Sequence, residues 1–259
     1  MANATSLRVA AVVPARMGSS RFPGKPLAQI LGMSMIEHVY HRVAMCKSLD
    51  AVYVATCDDE IFQATEAFGG KAIMTSDLHD RASDRVAEAA EHLDADIVVL
   101  VQGDEPMTVP EMIDAAVEPM LGEPEIQCVN LTIRIESEEE FRNPNTIKVV
   151  MDLNGDAVYF SREPIPSSRT LGFSNIPIFK QVCIIPFRRD CLATYASLEP
   201  TPLEKAESID MMRLLEHGYR VRMIETNYTS HAVDTPEELV MVESLMSNDP
   251  LVGTYSPSA

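Results

Sequence analysis

Apolar and polar residues alternate in blocks along the first half of the chain. Short, continuous apolar runs such as LRVAAVVPA and ADIVVLV are each followed by an amphipathic stretch. Runs this continuous are typical of parallel strands buried on both faces, and the stretches between them are typical of crossover helices. The pattern predicts an α/β fold with a doubly wound, mostly parallel sheet.

The regular alternation ends near residue 155. The next segment, at about residues 156–200, is rich in proline and joins two strand-like pieces through a long connection. The last third returns to helix, strand and helix, in the segments TPLEKAESIDMMRLLEHG, YRVRMIETN and TPEELVMVESLM. We therefore expect a single domain over residues 1–259, with a smaller lobe inserted at about 156–200.

Composition narrows the classes of function. The chain has 259 residues and a formal net charge of −18, which disfavours binding to nucleic acid or anionic membranes through a broad basic surface. Its five cysteines show no metal-ligand spacing, as expected in a reducing cytoplasm. Since no apolar run approaches the roughly 18 residues of a membrane span, we expect a cytoplasmic protein without membrane insertion.

One short segment near the start of the chain reverses this charge. VVPARMGSSRFPGKPLAQILG, at residues 12–32, carries the cations Arg16, Arg21 and Lys25 among three glycines, directly after the first predicted strand. A glycine-rich loop between a strand and a helix can direct backbone N–H groups at a phosphate, and cations complete its neutralisation. The spacing matches neither the P-loop nor the dinucleotide-binding fingerprint. The segment predicts a phosphate site of another kind, with a solvated basic loop as the alternative.

Two aspartates lie in suggestive positions. Asp104, in VQGDEP, directly follows a buried strand, where an unpaired carboxylate is costly, so it is a candidate Mg²⁺ ligand; the alternative is a cap for the next turn or helix. Asp234, in VDTPEEL, has the position of an N-cap for the last helix, and its residues alone favour that role. Because ligands of such sheets bind beyond the carboxyl ends of the strands, we expect VQGDEP and the cationic loop at one edge.

Taken in order, these segments resemble the sugar-activating nucleotidyltransferases, and most closely the CMP-Kdo synthetase family (3-deoxy-manno-octulosonate cytidylyltransferases). The resemblance extends from about residue 8 to 246 and includes VVPARMGSSRFPGKPL, VQGDEPM, NPNTIKVVMD, AVYFSREPIP, PTPLEKAESIDMMRLLEHG and VDTPEEL. It implies the Rossmann-like fold of nucleotide-diphospho-sugar transferases. It also implies that the anomeric hydroxyl of a 3-deoxy-ulosonic acid, Kdo or a close relative, attacks the α-phosphorus of CTP and releases pyrophosphate. A homodimer formed through the middle lobe, and a place in lipopolysaccharide or capsule biosynthesis, are further implications.

The resemblance also implies roles for individual residues. Asp104 and Asp234 together would hold Mg²⁺, which moves Asp234 from helix cap to metal ligand. Lys25 and Arg16 would stabilise the charge that develops at the reacting phosphate. The residues implied for the nucleotide are Arg16, Ser19, Arg21, Lys25, Arg85 and Gln102. The residues implied for the sugar are Arg162, Gln181, Glu204 and Glu207.

The chain departs from the family pattern in two places. Arg81 and Ala82, in DRASDR, replace the small, flexible part of a loop on the nucleotide side. Beside the sugar, Gln181 replaces a histidine and Ile184 replaces a tyrosine. A site that loses hydrogen-bonding partners changes its substrate preference more than its chemistry, so an amino-deoxy ulosonic or nonulosonic acid is an alternative substrate. A non-catalytic nucleotide-binding protein of the same fold is a further alternative.

Overall fold

The computed structural model describes residues 7–18, 21–228 and 231–256. In chain order the strands are β1 (Val9–Ala15), β2 (Gln29–Ile30), β3 (Met33–Ser34), β4 (Ala51–Thr56), β5 (Ala72–Met74), β6 (Ile97–Val101), β7 (Val129–Arg134), β8 (Lys148–Met151), β9 (Ala157–Ser161), β10 (Phe179–Val182), β11 (Ile184–Arg188) and β12 (Arg222–Glu225). The α-helices are α1 (Met35–Ala44), α2 (Asp59–Ala67), α3 (Ala82–Glu91), α4 (Pro110–Gly122), α5 (Glu138–Arg142), α6 (Arg189–Ser197), α7 (Pro202–Glu207), α8 (Met211–Glu216), α9 (Pro236–Met246) and α10 (Val252–Tyr255). Single 3₁₀ turns lie at Lys25–Leu27 and Phe173–Asn175.

The chain divides into two compact units. The first comprises residues 1–114 and 229–259, and the second comprises residues 115–228. The predicted lobe at about 156–200 lies wholly inside the second unit, which begins earlier than the sequence suggests. The assignment of one domain with an inserted lobe stays a prediction.

The first unit contains a parallel sheet. Its strands follow the order β6-β1-β4-β5, and each of the three pairings is parallel. Every residue of β1 and of β6 is buried, as the continuous apolar runs predict. The α/β class with a parallel sheet is therefore confirmed. Because β1 and β6 are neighbours and run the same way, the loops that follow them emerge at one edge.

The C-terminal helix α9 packs on the N-terminal part of the same unit. Ile30 and Met35 form one apolar cluster with Val233, Val242 and Met246, all fully buried. Thr235, and not its neighbour Asp234, is the N-cap of α9, since its side chain accepts a hydrogen bond from the Glu238 amide. The N-cap role that its residues alone favour for Asp234 is therefore wrong, and the Asp234 carboxylate is available for other contacts.

The second unit contains a five-stranded sheet in the order β12-β7-β10-β8-β9. Its pairings are antiparallel except for the parallel pair of β12 and β7. The segment TPLEKAESIDMMRLLEHG forms two helices, α7 and α8, rather than the single helix predicted. Ser208 ends α7 with a left-handed φ of 56°, and Arg162 takes up the carbonyls released there, donating from Nε to Glu207 O and from Nη2 to Ser208 O.

Within the described parts of the chain, no helix combines the length and the apolar character that crossing a membrane requires.

Candidate active site

A cavity of about 350 Å³ opens in the first unit, at the edge where β1 and β6 end. Its cationic lining residues are Arg16, Arg21, Lys25, Arg81 and Arg85, and its carboxylates are Asp80, Asp104 and Asp234. Cations thus outnumber carboxylates in the lining of this cavity, although the whole chain carries a net charge of −18. The cavity has the electrostatic character of an anion site.

Local backbone geometry fixes the position of Lys25. Gly24 adopts a left-handed φ of 73°, which glycine reaches without steric cost, and its amide donates to Met17 O across the loop at 3.1 Å. Lys25 then starts a 3₁₀ turn that is continued by the buried Pro26. Because this backbone is fixed, the Lys25 side chain is held in the cavity with only 12% of its surface exposed.

Lys25 joins the two predicted metal ligands. Its Nζ donates to Asp104 Oδ2 at 2.8 Å and to Asp234 Oδ1 at 3.1 Å. Burial alone would lower the pKa of Lys25, but Asp104 and then Asp234 more than offset this, so the pKa is raised. Arg21 adds a second cation, with Nη2 lying 3.0 Å from Asp234 Oδ2. The structure therefore brings Lys25, Arg21, Asp104 and Asp234 together.

Close packing of the backbone places Asp104. A Cβ added at Gly103 would lie 2.8 Å from Pro14 O, so only glycine permits this approach of the β6 end to β1. The Asp104 carbonyl accepts the Val233 amide at 2.8 Å, which ties the segment before α9 to the same edge. Asp104 lies six residues before α4 begins at Pro110, so it does not cap that helix.

The two carboxylates form a donor set that suits Mg²⁺. Both lie within hydrogen-bonding reach of one cationic nitrogen, so they can share one small cation. Proteins usually hold Mg²⁺ through one or two carboxylates together with substrate phosphates and water. Among the described residues, no group of three or more His, Cys, Asp or Glu side chains could hold a metal. The two aspartates thus fit a metal that completes its coordination with substrate and water.

The remaining nucleotide candidates lie around the same cavity, except for one. Gln102 and the exposed Arg16 are lining residues at the ends of β6 and β1. Arg85, on α3, is buried in the cavity wall, where its Nη1 donates to Thr75 Oγ1 at 2.5 Å and to Ser76 O at 3.1 Å. Ser19 lies outside the described residues.

The same wall contains residues to which the sequence gives little guide. His79 and Asp80 line the cavity beside Arg81 and Ala82. The only signal in the sequence is that they adjoin or belong to the DRASDR segment.

The predicted sugar residues lie in the second unit. Arg162 and Glu207 are in contact, since the Arg162 amide donates to Glu207 Oε2 at 2.9 Å. Glu207 Oε1 accepts hydrogen bonds from the hydroxyls of Tyr159 and Ser161. The structure thus brings two of the four predicted sugar residues together.

Glu204 has a different environment. Both of its carboxylate oxygens accept from Arg213, at 2.9 Å from Nε and 2.7 Å from Nη2, and the side chain is 1% exposed. Its Oε2 also accepts the Thr201 amide, which completes a capping box at the start of α7. Because the side chain is almost completely buried, the carboxylate of Glu204, unlike that of the partly buried Glu207, is out of reach of a ligand. The geometry therefore gives Glu204 a structural role instead of the predicted contact with sugar.

The side-chain oxygen of Gln181 is an unsatisfied hydrogen-bond acceptor. Asn130 Nδ2 donates to the carbonyls of Leu131 and Val182, so Asn130 Oδ1 is left to accept Gln181 Nε2 at 2.5 Å. This fixes the orientation of both amides. Gln181 Oε1 is buried, and it has no hydrogen-bond donor in the part of the chain that the structure describes.

Comparison with known proteins identifies the family. The sequence profile of a family described as cytidylyltransferase matches residues 10–225. The 3-deoxy-manno-octulosonate cytidylyltransferase of Geobacter metallireducens is 43% identical over 93% of this chain and 98% of its own. The enzyme of the same name from Solibacter usitatus is 44% identical over 95% of this chain and 97% of its own. The chain belongs to the cytidylyltransferase family. The prediction of a nucleotidyltransferase is confirmed.

Solved structures agree with the assignment of this cytidylyltransferase. The structure of CMP:2-keto-3-deoxy-manno-octonic acid synthetase complexed with CTP matches with a TM-score of 0.87 and 41% identity, covering 93% of this chain and 98% of that one. The 4-diphosphocytidyl-2C-methyl-D-erythritol synthase of Anaerococcus prevotii matches with a TM-score of 0.63 over 94% of this chain and all of its own. At 13% identity, that second likeness shows the fold alone.

Proposed function

We propose that this cytidylyltransferase transfers CMP from CTP to the anomeric hydroxyl of 3-deoxy-manno-octulosonate, with release of pyrophosphate. The observation that carries the proposal is the position of Lys25 between Asp104 and Asp234, in a cavity with an excess of cations. A triphosphate is the ligand that such a cavity suits best. The names of the relatives described above supply the two substrates.

The reaction joins two anions, so neutralisation of charge is the main task of the protein. Arg16, Arg21 and Lys25 bind the triphosphate, with Lys25 at the reacting phosphorus. Because its two aspartate neighbours raise the pKa of Lys25, the ammonium stays protonated at neutral pH and donates to oxygens that gain negative charge. Gln102 and Arg85 bind the rest of the nucleotide, and Ser19 keeps the predicted role of a phosphate ligand.

Asp104 and Asp234 hold Mg²⁺ in this proposal. The ion, when bound, would supply Lewis-acid neutralisation of phosphate oxygens and favour ionisation of the attacking hydroxyl. Lys25 keeps the two carboxylates close together before the substrates arrive.

Arg162, Glu207 and Gln181 remain proposed ligands of the sugar. Arg162 carries the charge that an acid sugar requires, and Glu207 can accept from hydroxyls. The unfilled acceptor on Gln181 favours a second candidate substrate, an amino-deoxy ulosonic acid, because an ammonium group supplies an additional donor.

We further propose a cytoplasmic homodimer. All five cysteines are free thiols, which fits a reducing compartment. Leu153, Val158 and Leu171 in the second unit are apolar and exposed, as residues that a second copy covers would be. Light scattering on the purified protein would give the mass of the assembly.

A turnover assay tests the function. Purified protein with CTP, Mg²⁺ and either Kdo or an amino-deoxy ulosonic acid should form a CMP-sugar, detected by mass spectrometry, and an equal amount of pyrophosphate. Lys25→Met should abolish both products. Lys47→Met, which removes an exposed lysine of the same unit, should leave them unchanged. Failure of the wild-type protein to form a CMP-sugar from any ulosonic acid would refute the proposal.

A further inference from the structure

Two charged side chains of α3 hold the backbone of one residue, Ser76, in the loop that follows β5. The Ser76 amide donates to the Glu88 carboxylate, at 3.1 Å from Oε1 and 3.0 Å from Oε2. The Ser76 carbonyl accepts Arg85 Nη1 at 3.1 Å. The loop is therefore fixed from both its donor and its acceptor side by residues three positions apart on one helix.

Glu88 has hydrogen-bond partners other than the one that its position on the helix predicts. Residues three apart on a helix face one another, so Glu88 is placed to pair with Arg85. Its oxygens are instead taken by the Ser76 amide and by His79 Nε2. Burial alone would raise the pKa of Glu88, but the Ser76 amide, His79 and Arg85 outweigh it, so the pKa is lowered and the carboxylate stays ionised.

Arg85 is left with an unfilled donor. Its side chain is 3% exposed, and its Nη2 is buried without a hydrogen-bond partner in the described residues. A buried, unpaired donor on a charged group is costly, which indicates that a partner is supplied from elsewhere. Arg85 belongs to the wall of the cavity, whereas Glu88 is not among the residues that line it.

We propose that Glu88, assisted by His79, is a positioning residue for the nucleotide, and this rests on the function proposed above. Glu88 holds the Ser76 amide and Arg85 Nη1 holds the Ser76 carbonyl, so Arg85 Nη2 is kept for an acceptor oxygen of CTP. In the proposed function, Arg16, Arg21 and Lys25 already bind the phosphates. The acceptor that meets Arg85 therefore belongs to the nucleoside part, as a base carbonyl or a ribose oxygen.

Nucleotide binding and steady-state kinetics test the proposal. Glu88→Ala should raise the Kd for CTP and for CMP about tenfold, the usual effect of losing one hydrogen bond to a charged group. The KM for CTP should rise equally while kcat changes less than about twofold, because the contact is made in the ground state and the transition state alike. Affinity for inorganic tripolyphosphate should not change. Glu88→Gln, which keeps an oxygen for the Ser76 amide, should recover most of the affinity.

Two further variants separate positioning from general loss of structure. Glu66→Ala removes an exposed helical carboxylate of the same unit and should bind CTP like the wild-type protein. Arg85→Met should weaken CTP binding, and adding Glu88→Ala to it should cause no further loss, since Glu88 acts through Arg85. Should Glu88→Ala fail to fold, Glu88→Asp keeps the charge but shortens the side chain, and it should weaken CTP binding in the same way.

The outcomes distinguish the two proposals. Wild-type protein that binds CTP, together with an unchanged Kd in Glu88→Ala or additive losses in the double variant, would overturn the role of Glu88 alone. An equal loss of tripolyphosphate binding would also overturn it. Wild-type protein that does not bind CTP would overturn both.

Discussion

Two groups of opposite charges, one in each unit, have nearly the same contact distances and very different surroundings. Lys25 contacts Asp104 and Asp234 at 2.8 and 3.1 Å, and Arg213 contacts Glu204 at 2.7 and 2.9 Å. The two aspartates are about 30% exposed beside a cavity, whereas Arg213 and Glu204 are at most 2% exposed. Arg213 also lies over the ring of Tyr195, 4.2 Å from its centroid.

The difference shows that contact distance alone does not distinguish a binding site from a core ion pair. Arg213 donates to both oxygens of the Glu204 carboxylate, and both side chains are buried. Lys25 faces two carboxylates, with other cations in the same cavity, so the group can exchange partners when a charged ligand arrives. Removing a charge should therefore reduce stability in one group and activity in the other.

Arg213→Met should have the largest effect. It leaves the Glu204 carboxylate buried without its cation, which typically costs about 3–5 kcal/mol of unfolding free energy. Urea unfolding measures this loss. Arg142→Met, which breaks an exposed pair with Glu138, is the matched control and should change stability little. The double variant Glu204→Leu/Arg213→Met should recover much of the lost stability. If Arg213→Met were as stable as the wild-type protein, the two groups of charges would not differ as described.

Asp104→Asn should affect activity instead. Loss of one carboxylate of the proposed Mg²⁺ site should lower kcat about 100- to 1,000-fold, the range found when one electrostatic contact to the transition state is removed. The thermal midpoint should stay near that of the wild-type protein, since Asp104 is partly exposed. Asp59→Asn, an exposed aspartate at the start of α2, should keep full activity. A large fall in stability with normal turnover would show that Asp104 contributes to stability and not to catalysis.

A smaller effect, a dependence of unfolding free energy on pH, should come from the buried imidazole of His38. Burial lowers the pKa of His38, the Ile30 carbonyl partly opposes this, and Arg42 adds to it. Since the folded state binds the proton more weakly than the unfolded state, stability is full above the unfolded value of about 6.5 and declines as the pH falls below it. Unfolding free energies at pH 7.5 and 5.5 measure the decline. His38→Gln should make it shallower, and an equal slope in the variant would assign it to other groups.

The sequence predicts the parallel strands and the edge at which the site lies. Continuous burial of β1 and β6 leaves a clear apolar pattern, and a parallel sheet brings the ends of neighbouring strands to one edge whatever the loops contain. Lys25 and Asp104 are therefore predictable as neighbours from pattern and topology, although they are far apart in the chain.

Other features depend on competition between adjacent residues, which a pattern does not resolve. Both Asp234 and Thr235 are good N-caps, and only the fold shows that Thr235 takes this role. The spacing of Glu204 and Glu207 predicts a shared face of one helix, but the break at Ser208 and the cation of Arg213 give them different partners. The amide orientation that leaves Gln181 Oε1 unfilled depends on carbonyls of two strands and leaves no signal in the sequence.

Gly103 fixes the spacing between the ends of β1 and β6 at the candidate site. Because a Cβ at this point would lie 2.8 Å from the Pro14 carbonyl, the chain passes β1 with no side chain of residue 103 between them, and the spacing from the end of β1 to Asp104 does not depend on a rotamer there. Side chains vary in length and can change rotamer, whereas two backbone segments that pass close together keep a nearly constant separation. The registration of the cationic loop against the carboxylate is thus carried by main-chain atoms, and even a single added methyl group at residue 103 would displace it.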